Sequence, residues 1–461
     1  MKNHLPYLGV LSLAFTGTLA AHEKPNVIFI VADDLGWGDV SFHGSIIKTP
    51  NIDRIARQGI ELDRFYTAPV SSPTRAGLMT GRYPSRFGIR KTVIPPWRDY
   101  GLDENEVTIA NVLSENGYLN RAMIGKWHLG HGRKVHYPLN RGFTHFYGCL
   151  NGAIDYFSHH REGELDWHRN WEPSYAKGYS TDLITDEALN CIEQYSKKGP
   201  YFLYIAYNAP HSPYQAPEDE IAEHISPEEF KALNKKDKNG YTYRAMVTRM
   251  DKGIGKILAA LEKSGDLDNT IILFMSDNGA VPNLQTGSTS LPLRGNKGSE
   301  WDGGVRVPAA IYWAKGFKNS RKIEQVTGFV DMLPTIADII GVEGKPQRPY
   351  DGISIFSVLN GKEKKIERDM YLGVGAAVNS NYKMILAGEN KSMKLKEDFL
   401  NYYPDDKYES TSHIAGHKKE ADRLKKYIMS YDTITPSVKE LPYGYGKDGF
   451  IAPHEWKVVK P

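Results

Sequence analysis

The chain has 461 residues, 40% hydrophobic and 25% charged, enough for one large α/β core with a smaller unit appended. A net charge of +3 is close to neutral at this length, and no block of like charges marks nucleic acid or an anionic membrane as a partner. Only Cys149 and Cys191 are present, which excludes a disulfide framework and leaves open whether the two pair.

Residues 1–21 read as an export signal. Lys2 and His4 form a short polar start, Leu5 to Thr18 is mostly apolar, and Thr18-Leu19-Ala20-Ala21 offers small residues for cleavage. The apolar stretch is too short for a membrane anchor and contains Pro6 and two glycines. No cysteine follows it for lipid attachment, so the expected mature protein is unanchored, in the periplasm or secreted.

Val27 to Ala32 (VIFIVA) lacks polar alternation, which predicts a strand buried on both faces of a parallel sheet. Asp33 and Asp34 follow directly, at the carboxyl end where open α/β sheets bind ligands. Two adjacent carboxylates repel each other, and a hard cation is the simplest compensation. Pro50 to Gln58 predicts a helix, with Thr49 as cap and Gly59 past its end. Pro73 suits the first turn of another, with Ser72 as its cap. Ser71 then lies at a helix N-terminus, where N–H groups and the dipole favour an anion, and Arg75 is one turn further on. Taken alone, a serine in such a place more often merely caps.

Thr108 to Asn116 predicts a helix with Ile109, Val112 and Leu113 on one face. Lys126 and His128 lie two apart, so on a strand or extended loop they would face one side. Tyr201 to Ala206 (YFLYIA) is a second buried strand, and His211 follows it between Pro210 and Pro213. A long helix from about Tyr243 to Lys263 carries an apolar stripe through Met246, Met250, Ile254, Ile257, Leu258 and Leu261. Thr270 to Met275 (TIILFM) is a third buried strand, with Asp277 and Asn278 just beyond. Strand ends presenting Asp-Asp and Asp-Asn supply an all-oxygen shell, which favours calcium or magnesium over zinc. After Asp331 to Thr335 the pattern shifts to polar and charged stretches, then short strand-like pieces and a basic helix near Lys418 to Met429. The expected organisation is a catalytic domain over 22–365 and a smaller α+β unit over 366–461.

Ser71-Ser72-Pro73-Thr74-Arg75 through Thr80-Gly81 resembles the signature of the type I formylglycine-dependent sulfatases, C/S-x-P-x-R followed by Thr-Gly. The resemblance spans most of residues 25–360. It includes Pro25-Asn26-Val27 leading to Asp33-Asp34, Thr49-Pro50-Asn51-Ile52-Asp53, Gly125 to Gly130, Asp277-Asn278-Gly279, Leu293-Arg294-Gly295 with Lys297, and Gly303-Gly304-Val305-Arg306. Gly148 to His159 and Ala209-Pro210-His211 are similar to the arylsulfatase B, or N-acetylgalactosamine-4-sulfatase, branch.

The resemblance implies an alkaline-phosphatase-like fold, a mixed, mostly parallel sheet flanked by helices. It implies hydrolysis of carbohydrate sulfate esters with one calcium ion and a formylglycine made from Ser71. Serine in place of the commoner cysteine implies a radical-dependent maturation enzyme acting before export. The implied roles are metal ligation by Asp33, Asp34, Asp277, Asn278 and the modified Ser71, and fixation of that residue by Arg75 and Lys126. His128 would help deprotonate its hydrate, His211 would be the leaving-group acid, and Lys297 would bind sulfate.

For the sugar, His159, His160, Arg161, His168, Arg169 and Trp171 cluster in one stretch, and Arg98 follows Pro95-Pro96-Trp97. Cations beside aromatics suit a sulfated or uronate-containing sugar, and the resemblance implies N-acetylgalactosamine 4-sulfate or a sulfated algal glycan as candidates. The competing readings are a phosphate mono- or diesterase of the alkaline phosphatase superfamily and a non-catalytic sugar-binding protein. The first generally has His at the position of Asn278, and the second needs no proton donor.

Overall fold

A computed structural model describes residues 24–281 and 288–457, so the expected export signal lies outside the described residues. Ten strands form the main sheet. Its order is Arg321–Ile323, Ile60–Leu62, Ala309–Tyr312, Thr270–Ser276, Asn26–Ala32, Tyr201–Ala206, Asn120–Lys126, His145–Cys149, His168–Arg169 and Glu172–Pro173. The five central strands, from Thr270–Ser276 to His145–Cys149, are mutually parallel, and antiparallel pairings flank them on both sides.

The sequence explains this centre. Along Asn26–Ala32, Val27, Phe29 and Val31 enter one apolar cluster while Ile28, Ile30 and Ala32 enter the other, all of them fully buried. A strand with period-two side chains and no polar member has to be covered on both sides. One cover is the helix Lys235–Ser264, whose buried stripe contains all six apolar residues expected from Met246 to Leu261. It begins well before Tyr243, capped by Asn234, whose side chain accepts from the Asp237 N–H. That first stretch is polar and shows no apolar period. Among the described residues no helix is long and apolar enough to cross a membrane.

Beyond the main sheet, Met370–Gly373, Ala376–Val378, Tyr382–Ile385 and Phe399–Tyr402 form a four-stranded antiparallel sheet, against which Lys418–Asp432 packs Ala421, Leu424 and Ile428. One apolar cluster runs from Val27 and Phe29 through Phe329 and Leu333 to Leu372, Met384, Leu400 and Leu424. The C-terminal sheet is therefore joined to the main core along one face. Cys149 and Cys191 are both free and buried.

Candidate active site

Four adjacent parallel strands end at one place and deliver the three carboxylates of the site, with Lys126 and His211. Asp33 and Asp34 leave Asn26–Ala32, Lys126 closes Asn120–Lys126, the loop to His211 leaves Tyr201–Ala206, and Asp277 and Asn278 leave Thr270–Ser276. The strand ends are laced together. Asp277 N–H donates to the Ala32 carbonyl, Asp33 N–H to the Ala209 carbonyl (3.0 Å each), and Asp34 N–H to Asp277 Oδ1 (3.3 Å).

The helix Ser71–Thr80 points its N-terminus into this group. Its cap is Val70, and Ser71 and Ser72 are already helical. Ser72 is thus not the expected cap; its Oγ accepts instead from the Ile94 N–H at 3.0 Å. Pro73 remains in the first turn, where a missing N–H costs nothing. Ser71 Oγ lies 3.4 Å from Asp33 Oδ1 and 3.3 Å from Asn278 Oδ1. Arg75, one turn on and fully buried, donates to Asp277 Oδ2 from Nε (3.1 Å) and Nη2 (2.8 Å), and to the Lys126 carbonyl (3.0 Å). Lys126 Nζ meets Asp33 Oδ2 and Lys297 Nζ meets Asp34 Oδ1, both at 2.5 Å.

Two glycines of the sequence motifs are close approaches. Gly125, at φ +99°, would put a Cβ 2.0 Å from the Ala206 carbonyl, and a Cβ on Gly279 would meet the Gly303 carbonyl at 1.9 Å. Asp34 and His128 adopt left-handed backbone at φ 68° and 56°, unusual for residues with a Cβ. Lys126 and His128 do reach the same site, but through this turn and not by strand alternation.

Three carboxylates and three cations share this space, all but Lys297 fully buried. Burial raises Asp33, with Lys126 pulling against it. Burial would also raise Asp34 and Asp277, but Lys297 with His211 holds the first low, and Arg75 with Lys126 the second. Burial lowers Lys126, whereas the carboxylates Asp34, Asp33 and Asp277 overcome it at Lys297 and raise that amine. His128 is driven well below its ordinary value by burial, then by Lys126 and Arg75. Its Nε2 is 3.2 Å from the Ile94 carbonyl, while its buried Nδ1 has no partner among the described residues. At His211, Nδ1 is 2.6 Å from the Ser212 carbonyl and Nε2 is 3.5 Å from Asp34 Oδ2. Its side chain and that of Lys297 are 21% and 19% exposed, so these two form the mouth.

Asp33, Asp34 and His211 can bring ligand atoms within range of one ion, and Asp277 and Asn278 add oxygens beside them. The donor set is buried and rich in hard oxygen, which fits a hard divalent cation. His145, Glu187 and Cys191 form a second such group, but Arg169 already takes both Glu187 oxygens at 2.7 and 2.6 Å.

The expected sugar contacts are scattered. His159 is buried against Trp167 with Nε2 on the Gly178 carbonyl, and His168 is buried beside Asp166. Arg169 is committed to Glu187 and lies over the Tyr147 ring. Each of these three has a structural partner within the protein. His160 is exposed, Arg161 pairs with Glu162, and Trp171, 43% exposed, stacks on Tyr137. Arg98 is the one tied to the site's wall. It lies in the loop whose Ile94 touches both Ser72 and His128, held by the Pro442 carbonyl and under the Tyr445 ring. Sequence reasoning missed Ile94 and Tyr156. The Tyr156 hydroxyl lies 2.6 and 2.8 Å from the Asn208 and His211 carbonyls, sharing its one proton between them, and so fixes the His211 loop. A backbone carbonyl leaves no mark in sequence, and a buried tyrosine reads as core.

The sulfatase family model matches residues 25–342. Arylsulfatase J of Mus musculus is 34% identical over 352 residues, covering 74% of this chain and 56% of that protein, so the chain spans little more than half of that relative's length. N-acetylgalactosamine-6-sulfatase of Mus musculus is 30% identical over 378 residues, covering 76% of this chain and 69% of that protein. Among solved structures, that of Ps i-CgsB in complex with k-i-k-neocarrahexaose is similar at a TM-score of 0.79 and 31% identity, covering 92% of this chain and 96% of that one.

Proposed function

The chain belongs to the sulfatase family, and from that premise we propose that it hydrolyses sulfate esters of carbohydrates once Ser71 has been oxidised to formylglycine. The observation that carries the reading is the meeting of Ser71 Oγ with Asp33 Oδ1 and Asn278 Oδ1, ringed by Arg75, Lys126 and Lys297. Asp33, Asp34, Asp277 and Asn278, with the modified Ser71, would hold one calcium ion. That ion, when bound, lowers the pKa of the attacking hydroxyl and polarises a sulfate oxygen. Formylglycine at residue 71 would supply a hydrated aldehyde, one hydroxyl of which would attack sulfur as the S–O bond to the sugar breaks, while the other would lose its proton as the aldehyde re-forms and sulfate leaves.

The remaining work falls to side chains already placed. Arg75 and Lys126 orient the acidic residues around residue 71 and offset charge that develops there. With Nε2 donating to the Ile94 carbonyl, His128 keeps its Nδ1 lone pair free and buried, ready to accept a hydroxyl proton. His211 faces oxygen acceptors from both ring nitrogens; burial lowers its pKa while Asp34 and Asp33 pull the other way, and in the protonated ring Nε2 would be placed to give its proton to the departing sugar oxygen. Lys297 sits at the mouth to bind the sulfate. Arg98, His160, Arg161 and Trp171 remain candidates for contacts with the sugar.

Asn278 supports sulfate over phosphate esters. Its amide gives Oδ1 toward Ser71 and donates from Nδ2 to Asp34 Oδ1 at 2.7 Å, a place where a histidine would favour a transition metal. One relative's name points to N-acetylgalactosamine 6-sulfate and one similar structure holds a neocarrahexaose; beside these, N-acetylgalactosamine 4-sulfate and a sulfated algal glycan remain the candidates. Maturation by a radical-dependent enzyme before export to the periplasm or medium completes the reading. Producing the protein with and without such an enzyme, and assaying sulfate release on defined sulfated oligosaccharides, tests it. Activity confined to the matured form is expected; equal activity in both would remove formylglycine from the mechanism.

A further inference from the structure

Lys297 lies on irregular backbone, which has no ladder of its own to fix where the ammonium points. The main domain supplies two local ties: Lys297 N–H donates to the Ala280 carbonyl (2.7 Å) and Gly298 N–H to the Pro69 carbonyl (2.8 Å), two residues before Ser71. Besides the Lys297–Asp34 pair and turns within the loop, further ties come from the C-terminal unit. Asn390 Nδ2 donates to the Gly298 carbonyl (2.8 Å) and to Glu300 Oε2 (2.7 Å), and Ser392 Oγ, 2.6 Å from Asn390 Oδ1 and 3.1 Å from the Gly298 carbonyl, braces that amide. Further along, buried Glu409 accepts from the Asp302 N–H through Oε2 and from Arg294 Nη1 through its carbonyl, each at 2.6 Å. Lys383 Nζ bridges Asp302 Oδ1 (2.6 Å) and Glu409 Oε1 (2.9 Å). Glu409 holds all this at φ 57°, a backbone conformation that residues with a Cβ rarely adopt.

We propose that Asn390 and Glu409 are positioning residues that hold the Lys297 loop from the C-terminal unit and thereby set sulfate affinity at the mouth. They touch no substrate; they act through Lys297. Asn390 grips the residue next to Lys297, and Glu409 anchors both flanks of the same loop at Arg294 and Asp302. The proposal rests on the reading of Lys297 as the sulfate-binding cation.

A double-mutant cycle read by calorimetric binding of inorganic sulfate to the calcium-loaded protein tests it, and needs neither turnover nor matured Ser71. Asn390→Ala should weaken sulfate binding about tenfold, the size of one well-placed hydrogen bond. In a Lys297→Ala background the same substitution should change affinity less than about twofold, because the group it positions is gone. Glu409→Gln, which keeps an acceptor for Asp302 N–H but loses the Lys383 pairing, should show the same pattern. It also serves if Asn390→Ala does not melt as cooperatively as the unsubstituted protein. Equal weakening in both backgrounds, or none in either, overturns the positioning role. Wild-type affinity in Lys297→Ala alone overturns the reading of Lys297 instead, and the positioning role with it.

Discussion

Replacing His211 with alanine separates proton donation from sulfate binding. The ring is held by the Ser212 carbonyl at Nδ1, and its loop by the Tyr156 hydroxyl, so Nε2 is presented at the mouth in one orientation. A sugar alkoxide is a poor leaving group and needs that proton in the transition state, whereas a nitrophenolate leaves readily without it. General acid catalysis is typically worth about a hundred- to ten-thousand-fold, or about 2.7 to 5.4 kcal/mol in the barrier. Turnover of a sugar sulfate at saturation should fall by that factor, and turnover of nitrophenyl sulfate by less than about tenfold. Because the side chain is 21% exposed, its removal opens the mouth and not the core, and the variant should stay folded with its metal. Thermal melting and metal content check this. Equal losses on both substrates in a folded, matured variant would refute the assignment; His211 would then position sulfate, and Lys297 would be the next candidate for the acid.

Peptide mass analysis of protein from its native host should find residue 71 two hydrogens lighter than serine, and Ser71→Ala should abolish sulfate release. Chelation should remove activity and lower the melting temperature, with calcium restoring both better than zinc; at a thousandfold excess over Kd the ion adds about 4 kcal/mol. Gly125→Ala should cost about 3 kcal/mol or more in denaturant unfolding, because the new Cβ meets the Ala206 carbonyl in a backbone conformation suited to glycine. Burial lifts Glu300 from its ordinary 4.5 to about 7, so the folded chain gains stability from the bound proton at low pH and loses it as pH rises through 7. Glu300→Gln should therefore match the unsubstituted protein near pH 4 and exceed its stability by up to about 3 kcal/mol above pH 8, as read by urea midpoints.

What the sequence revealed follows from its physics. Val27 to Ala32, Tyr201 to Ala206 and Thr270 to Met275 are uninterrupted apolar runs, and only a sheet covered on both faces accommodates them. Because Asp33, His211 and Asp277 come just after such runs, their meeting at one sheet edge was legible too. The start of the long helix at Lys235 was not, since its first turns are polar and solvated. The role of Ser72 was misjudged because the helix begins one residue earlier, with Val70 as its cap, and the Ser72 oxygen serves the Ile94 N–H instead. His159, His168 and Arg169 looked like solvent-facing ligands, yet each found a partner within the protein, at Gly178, Asp166 and Glu187. Left-handed Asp34 and His128, and the grip of Asn390 on Gly298 across 92 residues, depend on tertiary contacts with no local pattern.

The most direct measurement is inorganic sulfate release by the matured, calcium-loaded protein from a panel of defined sulfated oligosaccharides, with phosphate mono- and diesters of the same sugars run in parallel. Sulfate release from at least one glycan, lost in Ser71→Ala and far faster than any phosphate release, is the expected result. Rapid phosphate ester hydrolysis without sulfate release would contradict the sulfatase reading.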